Sequence, residues 1–309
     1  MSTELKDTGF SSSYKAKTKR IVNSDGSYNV IRKGASIKWR DAYKYLTEKS
    51  WLNFFGILFL FYVILNLLFT ILYWCIGFEH IEGINPEKGS SFMQAYYFSV
   101  QTFTTVGYGV MSPSGWPAQM VSSIEAFVGF LSFSLATGLL YGRFSKPNSK
   151  LKFSSQAIIS PYRGGKSLQF KLVNTRDNVL LDVKVKMILV QDHKTKGGQI
   201  TKRYYQLPLE ISELNLLPLT WTVVHPIDES SPLFEKSKED ILSSSIEVLV
   251  LVSGFDEVFS QTVNARRSYD NSEILWGRKF KPIFSPNDNG DIVIDVKNIN
   301  AMEKVKLDG

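Results

Sequence analysis

Ser91-Phe-Met-Gln-Ala-Tyr-Tyr-Phe-Ser-Val-Gln-Thr-Phe103, followed without a break by Thr104-Thr-Val-Gly-Tyr-Gly109, decides how the chain must fold. The first part is apolar and aromatic, yet shorter than the roughly 20 helical residues that a bilayer core requires. The second part is glycine-rich and reads as extended. Gly107 and Gly109 can adopt φ > 0, so successive carbonyl groups can be turned to one side. Thr105 adds a hydroxyl group at one end of that row. A short helix leading in and an extended loop leading out form a re-entrant element. Irregular backbone at membrane depth is tolerated only where it is buried in protein or lines water.

The flanking segments supply the membrane context. Residues 52–78 carry no Asp, Glu, Lys or Arg, and Trp51 and Tyr73-Trp74 suit the two interfaces. A second apolar run, 117–141, contains Glu125 as its one ionisable residue, with Pro117 near its first turn and Pro147 past its end. Lys and Arg crowd the stretch from Lys6 to Lys49 and follow the second run at Arg143 and Lys146. The connection between the runs holds Glu79, Glu82 and Glu87 against Lys88 alone. Positive-inside logic puts both termini in the cytoplasm and residues 79–116 outside, and a multi-pass protein of the inner membrane is expected. The net charge of +7 is thus sorted by topology, and nucleic acid is not an expected partner.

Thr105-Val-Gly-Tyr-Gly is the established signature of potassium-channel filters, in which backbone carbonyls replace the hydration shell of K⁺, and it is taken here as such. K⁺ at the carbonyls of Thr104, Thr105, Val106, Gly107, Tyr108 and Gly109 is the one metal expected, as permeant ion, with no cofactor. One chain supplies one wall of such a pore. The known use of the motif is four copies, which implies a cyclic homotetramer.

The remainder divides readily. Residues 1–35 are rich in Ser, Thr, Lys and Gly and read as a mobile tail. Residues 36–49 place Trp39, Tyr43 and Leu46 at near-helical spacing among charges, as an interfacial amphipathic helix would. The pore domain occupies 50–147, with pore helix and filter at 91–109. From 148 to 309 the pattern changes to period-two alternation, as in Leu168-Gln-Phe-Lys-Leu-Val and Val183-Lys-Val-Lys-Met-Ile-Leu-Val, and predicts an all-β, immunoglobulin-like sandwich. One short helix is expected at Ser237-Lys-Glu-Asp-Ile-Leu, with a capping box from Ser237 to Asp240. In a tetramer this domain can continue the pore.

Other function classes find little support. His225, Asp228 and Ser230 offer the residue types of a catalytic triad, but they are crowded together and no Gly-x-Ser-x-Gly elbow exists. His225 reads instead as a structural residue of a loop. Three histidines and the single Cys75 make a poor metal supply. No Gly-x-Gly-x-x-Gly marks a nucleotide site, and no Arg-rich span marks a voltage sensor.

From about Val30 to Ile294 the chain resembles the inward-rectifier potassium channels, specifically their prokaryotic branch. The resemblance rests on Phe98-Ser-Val-Gln-Thr and the filter, on Gly138-Leu-Leu-Tyr-Gly-Arg-Phe-Ser-Lys-Pro, and on three distal segments. These are Leu219-Thr-Trp-Thr-Val-Val-His-Pro-Ile-Asp-Glu-Ser-Ser-Pro-Leu, Phe259-Ser-Gln-Thr-Val-Asn-Ala-Arg and Glu273-Ile-Leu-Trp-Gly-Arg-Lys-Phe. It implies that residues 37–49 are a slide helix and that the run from Pro117 lines the pore. Gly129 and Gly138 match hinge positions, with close helix packing as the alternative. Tyr141 matches the ring at the bundle crossing, with a lipid-facing interfacial tyrosine as the alternative. Gly254 to Thr262 would narrow the cytoplasmic entrance, where Asp256 and Glu257 either attract cations or are solvated surface acids.

Two departures from the family pattern stand out. Phe133 replaces the cavity carboxylate of strong rectifiers, which implies weak rectification and weak block by Mg²⁺ or polyamines; Ba²⁺ remains a candidate blocker. Gln101 and Val110-Met111 replace the glutamate–arginine pair that braces the filter in eukaryotic relatives. Glu125 is then the expected substitute support, bonded to the pore helix around Thr102 to Thr104, unless it is protonated and inert. Lys44, Lys49, Arg143, Lys146 and Lys150 cluster at the inner leaflet as candidate sites for anionic phospholipids or phosphoinositides, unless they simply enforce topology. Resemblance to prokaryotic members favours inhibition by such lipids.

Overall fold

The computed structural model describes residues 3–5, 13–14, 20, 22–30, 39–145, 149–194 and 200–307. The chain separates into two compact units. One is Gly34–Lys146, and the other joins Met1–Lys33 to Pro147–Gly309.

The first unit is helical. Helix α1 spans Trp39–Glu48, α2 spans Trp51–Ile76, α3 spans Ser91–Phe103 and α4 spans Gly115–Phe144. Ser50 separates α1 from α2 by accepting the Asn53 N–H at its hydroxyl group, the usual way to satisfy an orphan amide at a helix start. Gly77, at φ 104°, ends α2 two residues short of the apolar run, because its positive φ leaves the helical region. Nothing breaks the chain between Tyr141 and Phe144, so α4 continues past the apolar run. Helices α2 and α4 are both long and apolar enough to cross a bilayer. The short α3 packs on α2 through Phe69, Tyr73, Ala95 and Phe98, with Val121 and Val128 of α4 closing the cluster. The rings of Tyr73 and Phe98 meet edge-on at 5.2 Å.

The second unit is a β-sandwich. Its strands are β1 (Leu151–Phe153), β2 (Ala157–Tyr162), β3 (Gly165–Asn174), β4 (Leu180–Lys194), β5 (Ile200–Leu207), β6 (Glu213–Leu217), β7 (Thr220–Ile227), β8 (Ile246–Asp256), β9 (Gln261–Asp270) and β10 (Ile274–Trp276). One sheet runs β5-β4-β8-β9, all antiparallel, with β6 also on β4. The other runs β7-β3-β2-β10, with β1 also on β3 and β10 parallel to β2. Alternate residues of facing strands fill the interior: Val183, Val185, Met187 and Leu189 from β4, Val248, Val250 and Val252 from β8, and Leu168, Phe170 and Leu172 from β3. A short helix, α5 (Lys238–Ser243), carries the expected capping box between Ser237 and Asp240.

Two features depart from the sequence pattern. The alternation in β3 would send Gln169 and Lys171 to solvent, yet both are buried. The C-terminal segment lies over that face, where Val173 packs on Ile283 and Ile299. The Lys171 ammonium donates to the Lys281 carbonyl at 2.6 Å and sits 5.1 Å from the Phe280 ring centroid, and burial pushes its pKa down. The second departure concerns the expected mobile tail. Thr3–Glu4 and Ser13–Tyr14 pair along β5. Val22 is buried and its N–H donates to Glu247 Oε1 at 3.2 Å. The Arg20 guanidinium lies 2.8 Å from Glu273 Oε2. The docked residues contain Val22, an apolar anchor packed with Val190, Tyr204 and Leu249 that a polar composition conceals.

Candidate functional site: a carbonyl loop and its supports

The loop after α3 has the backbone that a row of carbonyls requires. Thr105, Gly107 and Gly109 have φ of 58°, 51° and 81°. Left-handed residues thus alternate with Val106 and Tyr108, which turns successive carbonyls to one side. The alternation reaches Thr105, a β-branched residue for which φ > 0 is strained. Hydrogen bonds to Gln101 hold the loop. Its main-chain carbonyl accepts the N–H groups of Val106 at 3.0 Å and Gly107 at 3.2 Å. Its side-chain Oε1 accepts the Tyr108 N–H at 3.1 Å. A neutral glutamine one helical turn before the loop therefore holds it at three successive main-chain N–H groups.

Glu125 is fully buried, but it does not reach Thr102 to Thr104 as expected. Its partners lie elsewhere: the Tyr73 hydroxyl of α2 donates to Oε2 at 2.7 Å, and Oε1 is bonded to Ser99 Oγ, a turn earlier on α3. Ser99 Oγ also lies 3.2 Å from Asn66 Oδ1. Thr70 donates to the Asn66 carbonyl at 2.7 Å. The cluster ties α2, α3 and α4 together behind the filter. Asn66, Thr70, Tyr73 and Ser99 were not legible as site residues. A signal existed in Asn66, Thr70 and Tyr73, which share one face of an otherwise apolar helix.

Gly129 resolves toward packing: a Cβ there would lie 2.0 Å from the Phe103 carbonyl oxygen, so α4 touches the C-terminal end of α3 only because it has none. Gly138 faces open space, with nothing within 4 Å of an added Cβ. Phe133 and Tyr141 are 75% and 74% exposed in the single chain. Phe133, Thr104, Thr105 and Gly129 line one apolar cavity of about 800 Å³.

The basic residues divide by environment. Arg143 is committed: its guanidinium donates to the carbonyls of Leu46, at 3.0 Å, and Lys49, and lies 4.3 Å from the Trp51 ring centroid. It thereby caps the C-terminal end of α1, whose last carbonyls lack helical partners. The Lys49 ammonium sits 4.5 Å from the Tyr45 ring centroid. Lys44 and Lys150 are exposed, and Lys146 falls outside the described residues.

The acidic turn after β8 is also corrected. Asp256 is buried, and its carboxylate accepts from Asn178 Nδ2 at 3.0 Å, from the Val258 N–H at 3.0 Å and from Arg176 at 3.4 Å. It is neither a solvated acid nor free to attract cations. Gly254 is buried in β8, whereas Glu257 is exposed. The triad residue types do not assemble either. His225 is buried between the Pro208 carbonyl, at 2.6 Å from Nδ1, and Ser231 Oγ, at 2.8 Å from Nε2. Asp228 instead accepts from Ser230. Burial holds the His225 imidazole below its ordinary pKa.

A re-entrant helix and carbonyl loop between two apolar helices define a two-span ion channel. Comparison with known proteins agrees: residues 57–146 match the family described as Ion channel, and residues 151–308 match Inward rectifier potassium channel C-terminal domain. The chain is 36% identical to inward rectifier potassium channel Kirbac3.1 of Paramagnetospirillum magnetotacticum, over 91% of this chain and 95% of that one. It is 27% identical to G protein-activated inward rectifier potassium channel 2 of Mus musculus, over 89% of this chain and 69% of that protein. Identity to inward rectifier potassium channel 4 of Homo sapiens is 28%, over 85% and 68%. The chain belongs to the inward rectifier potassium channel family, in its prokaryotic branch. It is a membrane channel rather than an enzyme, and K⁺ is its permeant ion.

Proposed function

We propose that four copies of this chain arrange Thr104 to Gly109 around a common axis and pass K⁺ through the ring of their carbonyls. The alternation of positive φ at Thr105, Gly107 and Gly109 carries this reading, since it aims consecutive carbonyls at one line. Gln101 holds the loop and the Glu125 cluster holds the pore helix. Tyr141, exposed on a single chain, forms a ring that narrows the inner end, and Phe133 lines an uncharged cavity that rectifies weakly. Gly138, free of contacts, is the better hinge candidate, while Gly129 is a packing glycine. Of the acids near Gly254, Glu257 alone is available to cations.

The protein sits in the inner membrane with both termini in the cytoplasm, which the sorting of Lys and Arg supports. Lys44, Lys49 and Lys150 are the residues proposed to meet anionic phospholipids, phosphoinositides included, with Lys146 outside the described residues, and the effect is inhibition. Arg143 acts through α1 rather than through lipid. Rb⁺ uptake into liposomes, with Ba²⁺ block and added phosphoinositide, tests the reading. Uptake that Ba²⁺ stops and phosphoinositide lowers is expected; absence of uptake in every lipid composition refutes it.

A further inference from the structure

With Glu125 ionised, the cluster behind the filter contains more acceptors than its hydroxyl hydrogens can satisfy. Ser99 has one hydroxyl hydrogen. Its Oγ adjoins Glu125 Oε1 and lies 3.2 Å from Asn66 Oδ1 and 3.1 Å from the Asn66 main-chain carbonyl. That main-chain carbonyl already accepts the Thr70 hydroxyl at 2.7 Å. The Asn66 amide cannot be turned round to help, because Nδ2 donates to the Tyr62 carbonyl at 2.8 Å, and the reverse orientation would set two oxygens against each other. Among the described residues, Ser99 is therefore the only donor for Asn66 Oδ1. If Glu125 were a carboxylate, the Ser99 hydrogen would go to it, and Asn66 Oδ1 would face a lone pair of Ser99.

A hydrogen on Glu125 Oε1 resolves the count. Tyr73 then donates to Oε2, Glu125 donates from Oε1 to Ser99, Ser99 donates to Asn66 Oδ1, and Asn66 donates to the Tyr62 carbonyl. Every member is satisfied in one direction. The charge environment agrees. Helices α2 and α3 contain no Lys or Arg, and the one basic residue of α4, Arg143, is engaged at the end of α1. Asn66, Thr70, Ser99 and Glu125 are fully buried, and a buried charge without a cation is costly enough that neutralisation is the usual outcome.

We propose that Glu125 is a neutral positioning residue: it carries a proton at physiological pH and passes a directed chain of hydrogen bonds through Ser99 to Asn66, fixing α3 between α2 and α4. This rests on the reading that the cluster supports the filter. Two measurements on the full-length channel in liposomes test it. Infrared spectra should show the carbonyl stretch of a protonated carboxyl group, sensitive to H/D exchange and missing from Glu125→Gln. Glu125→Gln, which can still accept from Tyr73 and donate to Ser99, should keep wild-type Rb⁺ flux. Glu125→Ala, which leaves the Tyr73 hydroxyl without its acceptor, and Ser99→Ala, which leaves Asn66 Oδ1 without its donor, should each lose about tenfold or more, the loss expected from an orphaned buried polar group. Identical spectra for wild type and Glu125→Gln, or a Glu125→Gln channel as poor as Glu125→Ala, would overturn the proposal. The spectrum reports on the proton even where a protein conducts nothing, so its outcome is separate from that of the conduction reading.

Discussion

The two units of this chain solve burial in opposite ways. The sandwich closes on itself, with Phe170, Met187, Val250 and Tyr269 all removed from solvent by one chain. The helical unit buries a small cluster around Tyr73 and Phe98 and leaves Phe130, Phe133, Leu135 and Tyr141 exposed. A soluble fold could not tolerate that much apolar surface. The difference teaches where the missing solvent and partners belong: lipid and further copies of the chain complete the helical unit, whereas the sandwich core is complete already. Polar chemistry follows the same division. The buried carboxylate of the sandwich, Asp256, lies beside the Arg176 guanidinium, whereas the buried carboxyl group of the helical unit, Glu125, has the hydroxyl groups of Tyr73 and Ser99 as partners.

The strongest way to break this contrast is to truncate one large aromatic side chain in each unit. Phe170→Ala should cost the sandwich about 3–5 kcal/mol, read from denaturant unfolding followed by tryptophan fluorescence. Phe133→Ala should leave unfolding nearly unchanged while altering conduction; an equal loss of stability would erase the distinction. Next in size is a pair of glycines on α4. Gly129→Ala should destabilise the channel by about 1–3 kcal/mol through overpacking against Phe103, lowering the thermal midpoint of the purified oligomer. Gly138→Ala meets no atom and should be stable within error.

A smaller effect sharpens the sandwich side. His225 is buried and takes its proton only below the ordinary value near 6.5, whereas the unfolded chain takes it there. Stability should therefore be level above that pH and fall as the pH drops through the window beneath it. His225→Gln should flatten the slope in a series of unfolding curves from neutral to acid. The smallest effect concerns the inner leaflet. Lys44→Gln should weaken the response to anionic lipid by about 1 kcal/mol, roughly fivefold in effective lipid concentration. Arg143→Gln should instead change flux in neutral lipid, since its guanidinium holds α1.

Much of this was legible in the sequence because the signals were strong and local. Unbroken apolar runs located α2 and α4, the glycines of the filter located the loop, and alternation located the strands. What stayed hidden depended on contacts between distant elements. The period of β3 gives no hint that a C-terminal segment covers its second face and buries Lys171. Composition hides the docking of Val22, which depends on Glu247 and Ser268 far along the chain. The partners of Glu125 lie at Ser99, one turn earlier on α3 than expected, and at Tyr73 on α2, because contacts among three helices have no sequence period. Asp256 looked like a surface acid because Arg176 and Asn178 approach it from another strand connection.

The most direct test of the central claim is the ion selectivity of the purified protein in liposomes. Rb⁺ uptake should be driven by an outward K⁺ gradient, stop with Ba²⁺, and vanish when Na⁺ replaces K⁺ in that gradient, because the carbonyl ring proposed at Thr104 to Gly109 would pass K⁺ and not Na⁺. Equal permeation of Na⁺ and K⁺ through the intact protein would contradict it.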